Sequence, residues 1–113
     1  MPDPAFFATS TNRAFCLGFS KALAMQLGPE NILVNAVNIG FVDTPQWDNI
    51  WQRRAPDTDR AAFLARLARQ DVPMGRFGVP EEVSGLVAFL CSRQASYITG
   101  PSVDVAGGMG KYV

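Results

Sequence analysis

The sequence contains no histidine, and its ten lysine and arginine residues are balanced by ten aspartate and glutamate residues. Without histidine the chain lacks the commonest metal ligand and the usual general base that activates a serine or cysteine. No metal site and no Ser-His-Asp chemistry are therefore expected within it. The balanced charge provides no attraction for nucleic acid or for an anionic membrane surface, so neither is expected as a partner.

Long hydrophobic runs are also missing, because Lys, Gln, Asn or Ser interrupts each apolar stretch before it could span a bilayer. The N-terminal Met-Pro-Asp-Pro has neither the basic nor the apolar region of a signal peptide, so we expect a cytoplasmic protein. Only two cysteines are present, Cys16 and Cys91. Their apolar contexts favour two buried thiols in a reducing compartment over a disulfide or a metal pair.

Apolar residues make up 48% of the 113 positions, which is enough for the core of a single domain over residues 1–113. The pattern predicts a helix, a strand, a helical excursion, a second long helix and a last strand. Such a strand–helix–strand order requires parallel pairing with a right-handed crossover, which is typical of an α/β fold. Two strands do not form a stable open sheet, so we expect another subunit or missing sequence to complete it.

The first predicted helix covers residues 13–27, after an irregular lead-in, with Ser10 or Thr11 as its candidate N-cap. Almost every side of this helix is apolar, which predicts burial on almost every side and hence a partner surface. A near-continuous β-branched run over residues 32–37 predicts a strand buried on both faces. Further helices are predicted as two short ones within residues 46–70, separated by Pro56-Asp57, and one over residues 81–92.

Two stretches carry a family likeness: SKALAMQLGPENILVNAVNIGFVDTP and GRFGVPEEVSGLVAFLCSRQASYITGPSVDVAGG. In the second, Gly-Arg, Pro-Glu-Glu, Phe-Leu, Tyr-Ile-Thr-Gly and Gly-Gly follow in order. Together they resemble the C-terminal half of short-chain dehydrogenases/reductases, from about Thr9 to Gly108. The resemblance implies the C-terminal part of a Rossmann-type, doubly wound parallel sheet and an NAD(P)-dependent oxidoreductase acting on a carbonyl or alcohol.

The resemblance assigns the strand end at Gly40 to the segment that surrounds the nicotinamide ring. It implies close backbone approach at Gly40, backbone groups of Val42 for the carboxamide, and the hydroxyl of Thr44 for the carboxamide or diphosphate. The family has proline before the glycine, whereas this chain has Ile39. The alternative is that Gly40 begins a simple turn from a strand into a helix.

The family's catalytic pair, tyrosine and lysine spaced Y-x-x-x-K, falls at Thr9 and Arg13. A threonine hydroxyl is too weakly acidic to replace the phenol, whereas Arg13 retains a positive charge that could position a ribose hydroxyl. Alternatively, Arg13 is a helix-start residue paired with a local carboxylate. The glycine-rich phosphate loop and the family's serine also have no counterpart here, and the choice between NAD and NADP would be made in that missing half.

The resemblance also implies that residues 45–72 form a lid over the substrate, and Trp47 and Trp51 belong to this lid; the alternative for both is core packing. The arginines of this region look like a solvated face rather than an anion site: Arg53, Arg54, Arg60, Arg66 and Arg69.

Two functional hypotheses follow, and a third is weaker. The chain is a piece of an oxidoreductase, inactive alone and acting on a small molecule only in a longer form, or it is a non-catalytic, self-associating module of the same descent. Either hypothesis is compatible with a homo-oligomer, because the family pairs the first helix across a dimer. In the third, Asp43 or Asp48 has taken over the role of the missing acid.

Overall fold

The computed structural model describes residues 7–110 and confirms the predicted order of helices and strands. Its regular elements are α1 (Phe7–Leu27), β1 (Ala36–Ile39), α2 (Gln46–Arg54), α3 (Arg60–Asp71), α4 (Pro80–Leu90) and β2 (Ser102–Val105). Single 3-10 turns occupy Gly28–Glu30 and Arg93–Ala95. The fold is α/β, as predicted. By compactness the described part of the chain divides into two units: residues 7–38 with Gly85–Asp104 form the first, and Ile39–Ser84 with Val105–Gly110 form the second.

Strands β1 and β2 pair in parallel, which confirms the predicted arrangement. The amide of Ala36 donates to the carbonyl of Pro101 at 3.1 Å, and the amide of Gly40 donates to that of Val105 at 3.0 Å. The offset along the chain is the same in both bonds, which defines the parallel register.

The first strand begins later than the predicted start at residue 32. Residues 32–35 have no strand opposite them, since β2 starts only at Ser102. Side-chain and backbone bonds to the stretch before β2 hold this segment instead. The amide of Val34 donates to Thr99 Oγ1 at 3.0 Å, and Asn35 Nδ2 donates to the carbonyl of Ile98 at 3.0 Å. The amide of Gly100 also donates to the carbonyl of Val34 at 2.7 Å. The prediction that residues 32–37 are buried on both faces is wrong for this chain, because none of them is buried and Ile32 is 46% exposed.

Helix α1, in the first unit, begins earlier than predicted, at the first described residue. Ser10 and Thr11 lie inside the helix and are not its cap. Thr11 Oγ1 donates to the carbonyl of Phe7 at 2.8 Å, a bond within the helix itself. The predicted irregular lead-in is therefore wrong for residues 7–12, and its first six residues lie outside the described part.

The apolar side chains of α1 are mostly exposed, although the sequence predicted a buried helix. Phe7 and Met25 are each 74% exposed and Phe15 is 67% exposed, whereas Ala24 is buried. Two short strands do not offer enough surface to cover a helix of 21 residues. The predicted burial of Cys16 and Cys91 is also wrong, since both are exposed; neither forms a disulfide.

The second unit has its own small core. Val72, Ala106 and Met109 are buried together, and Phe41 packs against them. Helix α3 buries Phe63, Leu64 and Ala68, and its N-cap is Asp59, whose side chain accepts a hydrogen bond from the amide of Ala62 at 3.0 Å. The break at Pro56-Asp57 between α2 and α3 is where the sequence placed it.

Candidate functional site

The segment after β1 is held in place by a single parallel bridge between Val42 and Gly78. The amide of Gly78 donates to the carbonyl of Phe41, and the amide of Asp43 donates to the carbonyl of Gly78, both at 2.9 Å. These bonds use the neighbours of Val42 and leave its own amide and carbonyl without a hydrogen bond to any residue in the described range. Val42 as a whole is buried, with 8% of its surface exposed, so packing fixes the residue.

Gly40 is required by the approach of the chain at the end of β2. A Cβ atom on Gly40 would lie 2.7 Å from Ala106 Cα and 2.8 Å from Ala106 Cβ, distances that real Cβ atoms do not adopt. Packing against Ala106 therefore explains the glycine without any ligand, as the alternative of a simple turn from strand to helix requires. The two interpretations are compatible, since a glycine that packs on Ala106 also leaves no side chain over the segment that follows.

Thr44 lies where this segment enters α2, and its carbonyl accepts a hydrogen bond from the amide of Trp47 at 3.0 Å. The ring of Trp47 packs edge-on against Phe41 and Phe77, with centroids 4.9 Å and 4.8 Å away. Trp47 is thus part of an aromatic cluster. Trp51, one turn further along α2, instead donates its indole N–H to the carbonyl of Thr58 at 2.8 Å.

An open groove of about 610 Å³ lies beside this segment in the second unit. Of the two tryptophans assigned to the lid, Trp51 lines it and Trp47 does not. The remaining lining residues are mostly polar: Asp43, Thr44, Pro45, Asp48, Gln52 and Arg60.

Arg60 joins the two carboxylates of this groove, a contact that the sequence analysis missed. Its Nη2 lies 2.6 Å from Asp43 Oδ1 and its Nε lies 2.6 Å from Asp48 Oδ1. Hydrogen bonds to Asp43 and then Asp48 raise the pKa of Arg60 above its ordinary value. Asp43 and Asp48 therefore both accept hydrogen bonds from one guanidinium. The third hypothesis, in which one of them is the catalytic acid, stays a prediction.

Arg60 also departs from the predicted solvated arginine face. It occupies the first position of α3, where the positive end of the helix dipole disfavours a cation. An arginine at a helix start, directly after an aspartate cap, was the signal in the sequence that could have identified it. Its partners lie 12 and 17 residues away, so helical periodicity gives no indication of them.

The GRFGVPEE stretch forms a second ion pair, between Arg76 and Glu82. Arg76 Nη2 lies 2.6 Å from Glu82 Oε1 and Nη1 lies 2.9 Å from Oε2, while the amide of Val79 also donates to Oε2 at 2.9 Å. Glu82 thereby caps the start of α4, three residues after Val79. The bond from Arg76, followed by the bond from Val79, lowers the pKa of Glu82 to about 2.

Thr9 and Arg13, which occupy the family's tyrosine and lysine positions, lie one turn apart on α1. They belong to the first unit, whereas Gly40, Val42 and Thr44 belong to the second. The structure thus places the candidate cofactor residues on one continuous segment and the candidate catalytic pair on one helix. Within residues 7–110, no helix is long and apolar enough to cross a membrane.

Comparison with known proteins gives one family. Residues 2–110 match the family described as enoyl-(acyl carrier protein) reductase. A 3-oxoacyl-[acyl-carrier-protein] reductase from Aquifex aeolicus is 45% identical over 104 residues, covering 88% of this chain. A human dehydrogenase/reductase of the short-chain family, member 4, is 36% identical over 107 residues, covering 95% of this chain and 36% of its own.

Solved structures give the same result. An NADPH-bound short-chain oxidoreductase from Pseudomonas aeruginosa, described as containing an atypical catalytic centre, superposes with a TM-score of 0.86 at 32% identity over 100% of this chain. L-sorbose reductase from Gluconobacter frateurii, complexed with NADPH and L-sorbose, gives 0.81 at 36% identity over 88% of this chain. The chain spans 36% of the Aquifex protein's length, 42% of the Pseudomonas chain and 39% of the Gluconobacter chain.

Proposed function

The chain belongs to the short-chain dehydrogenase/reductase family, and on that premise we propose that it forms the nicotinamide-binding part of an NAD- or NADP-dependent oxidoreductase acting on a carbonyl or alcohol. The bound cofactor would supply the hydride. Residues Gly40, Val42 and Thr44 would hold its nicotinamide end, and the groove lined by Trp51 lies next to that segment.

The amide and carbonyl of Val42 form no hydrogen bond to any described residue, and this is the single observation that carries the proposal. A carboxamide presents an NH2 donor group and a carbonyl acceptor, and Val42 offers a matching carbonyl acceptor and amide donor from the backbone of one residue. The bridge to Gly78 fixes that residue before any ligand arrives, which reduces the ordering cost of binding. The residues present therefore fit the nicotinamide end of the cofactor.

Proton transfer by this chain alone is not part of the proposal. Thr9 cannot supply an acidic phenol, and the sequence has no tyrosine with a lysine four residues on. Arg13 keeps a cation where the family has lysine and would serve in positioning. We therefore expect the chain to be inactive by itself and to bind cofactor weakly, because it lacks the phosphate-binding loop.

A relative supports the view that an unusual catalytic centre and cofactor binding can coexist. The Pseudomonas oxidoreductase is described both as NADPH-bound and as containing an atypical catalytic centre. The Thr9/Arg13 pair would then mark this chain as another departure within the family, with the cofactor segment retained.

The exposed apolar face of α1 favours a partner, and we propose that the protein is a homo-oligomer. Phe15 and Phe19 stack on this face with ring centroids 5.8 Å apart, and both are more than half exposed. Apolar side chains of this size are a surface that association would bury. This observation also favours a second candidate, the self-associating module without turnover.

Cofactor binding separates the oxidoreductase part from the self-associating module. The minimal ligand is reduced nicotinamide mononucleotide, because a mononucleotide does not depend on the loop that binds the phosphates of a dinucleotide. In amide-resolved NMR of the 113-residue chain, we expect millimolar ligand to shift the resonances of Val42 and Thr44. Adenosine monophosphate, which lacks the nicotinamide, serves as the control and should leave them unshifted. Equal shifts with both ligands, or none at residues 40–44 with either, would contradict the proposal and leave the module.

A further inference from the structure

Arg60 and the segment it contacts offer an inference that deepens this function. We propose that Arg60 is a positioning residue for the nicotinamide-binding segment: by bridging Asp43 and Asp48 it holds residues 42–48 in the binding arrangement. The inference rests on the proposed function for its ligand. The bridge from Arg60 to Asp43 and Asp48, called the clamp below, rests on the geometry of the described residues alone.

Asp43 is the point at which the clamp acts on the segment. It stands between Val42 and Thr44, and its amide is already bonded to the carbonyl of Gly78 at 2.9 Å. Its carboxylate receives two bonds from Arg60, at 2.6 Å from Nη2 and 3.4 Å from Nη1. The residue between the two proposed ligand-binding positions is therefore fixed at both its backbone and its side chain.

Asp48 extends the clamp into α2. Its Oδ1 accepts the bond from Arg60 Nε at 2.6 Å, so one planar guanidinium serves two carboxylates through different edges. Only arginine offers such a fixed fork, because lysine carries a single point of charge. Arg60 also sits at the first position of α3, where the helix dipole opposes it, so these contacts rather than helix stability account for its presence.

A loosened segment would bind less tightly in proportion to the time it spends in the wrong arrangement. If removal of Arg60 leaves residues 42–48 correctly placed about one-tenth of the time, the dissociation constant rises about tenfold. Asp43 and Asp48 would also repel each other once their shared cation is gone, which favours the loosened arrangement.

The test compares Arg60→Met and Arg60→Lys with Arg69→Met, which removes a charge from the same helix. Arg69 makes no ion pair within the described residues. We expect the dissociation constant for reduced nicotinamide mononucleotide to rise about tenfold in Arg60→Met, to rise less in Arg60→Lys, and to stay unchanged in Arg69→Met. A merely structural role would lower the unfolding temperature without changing affinity in the folded protein.

The outcomes are distinguishable from failure of the proposed function. Unchanged affinity in Arg60→Met overturns the clamp. If the unsubstituted chain does not bind the mononucleotide, the proposed function fails. The clamp is then tested by hydrogen exchange of the amides of Asp43, Trp47 and Asp48. Faster exchange in Arg60→Met than in Arg69→Met supports the clamp, and equal exchange overturns it. Should Arg60→Met not fold, the same two readouts on Arg60→Lys decide in its place.

Discussion

Gly40 and Ala106 approach so closely that a methyl group on the glycine would lie 2.7 Å from the backbone of its neighbour. The contact joins the residue after β1 to the residue after β2. A hydrogen bond supports it, since the amide of Gly40 donates to the carbonyl of Val105 at 3.0 Å. Backbone cannot move aside as a flexible side chain can. The glycine at the entry to the candidate cofactor segment is thus fixed by packing, whatever the segment binds.

Gly40→Ala should therefore destabilise the protein. Forcing a methyl group into a packed contact costs about 1–3 kcal/mol in the free energy of unfolding. Urea unfolding followed by tryptophan fluorescence measures the change. Gly85→Ala is the matched control, because nothing lies within 4 Å of a Cβ at that position inside α4. The control should be neutral or more stable by up to about 1 kcal/mol; equal losses in both variants would refute the contact argument.

Thr99 should stabilise the fold through its hydroxyl rather than its methyl group. Its Oγ1 accepts the bond from the amide of Val34, in a stretch where no strand lies opposite. Thr99→Val keeps the shape and leaves that amide unpaired, which should lower the free energy of unfolding by about 1–3 kcal/mol. Thr99→Ser retains the acceptor and should recover most of the loss. A valine variant as stable as the serine variant would show that the bond contributes nothing.

Glu82 should contribute to the acid sensitivity of the fold. Its pKa is lowered to about 2 in the folded protein, so its contribution to stability is fully present above the unfolded value near 4.5. That contribution is lost as the pH falls from about 4.5 through 2. Glu82→Gln should therefore be less stable than the parent at pH 7, with the difference shrinking toward pH 2.

Glu81→Gln is the control for that titration, because the neighbouring Glu81 makes no ion pair in the part of the chain that the structure describes. Unfolding free energies measured at intervals from pH 7 to pH 2 give the comparison. A Glu82→Gln curve that runs parallel to the parent curve over this range would rule out the proposed linkage.

Local signals in the sequence were sufficient for most helices. The polar, amphipathic stretch broken at Pro56-Asp57 correctly predicted α2 and α3. Pro80 with the two glutamates that follow it correctly predicted α4. These features act within a few residues of where they occur. The family motifs likewise identified the fold, because the resemblance covers nearly the whole chain.

Interactions between distant residues were not predictable in the same way. The start of β1 depends on where β2 begins and on the hydroxyl of Thr99, 65 residues from Val34. The clamp at Arg60 depends on a fold that brings α3 to the segment after β1. Neither distance matches a helical or strand period, so spacing alone gave no indication of them.

Helix α1 should drive self-association, since its apolar face lacks cover within the described residues. Phe15 is 67% exposed and Phe19 is 53% exposed, and burying a phenylalanine contributes about 1.5–3 kcal/mol. Sedimentation velocity should therefore show oligomers whose population rises with concentration, and Phe15→Glu with Phe19→Glu should weaken association at least about tenfold. Gln26→Glu adds a charge to the same helix without removing an apolar side chain and should associate as the parent does. A parent chain that sediments as a monomer at all concentrations would exclude the homo-oligomer.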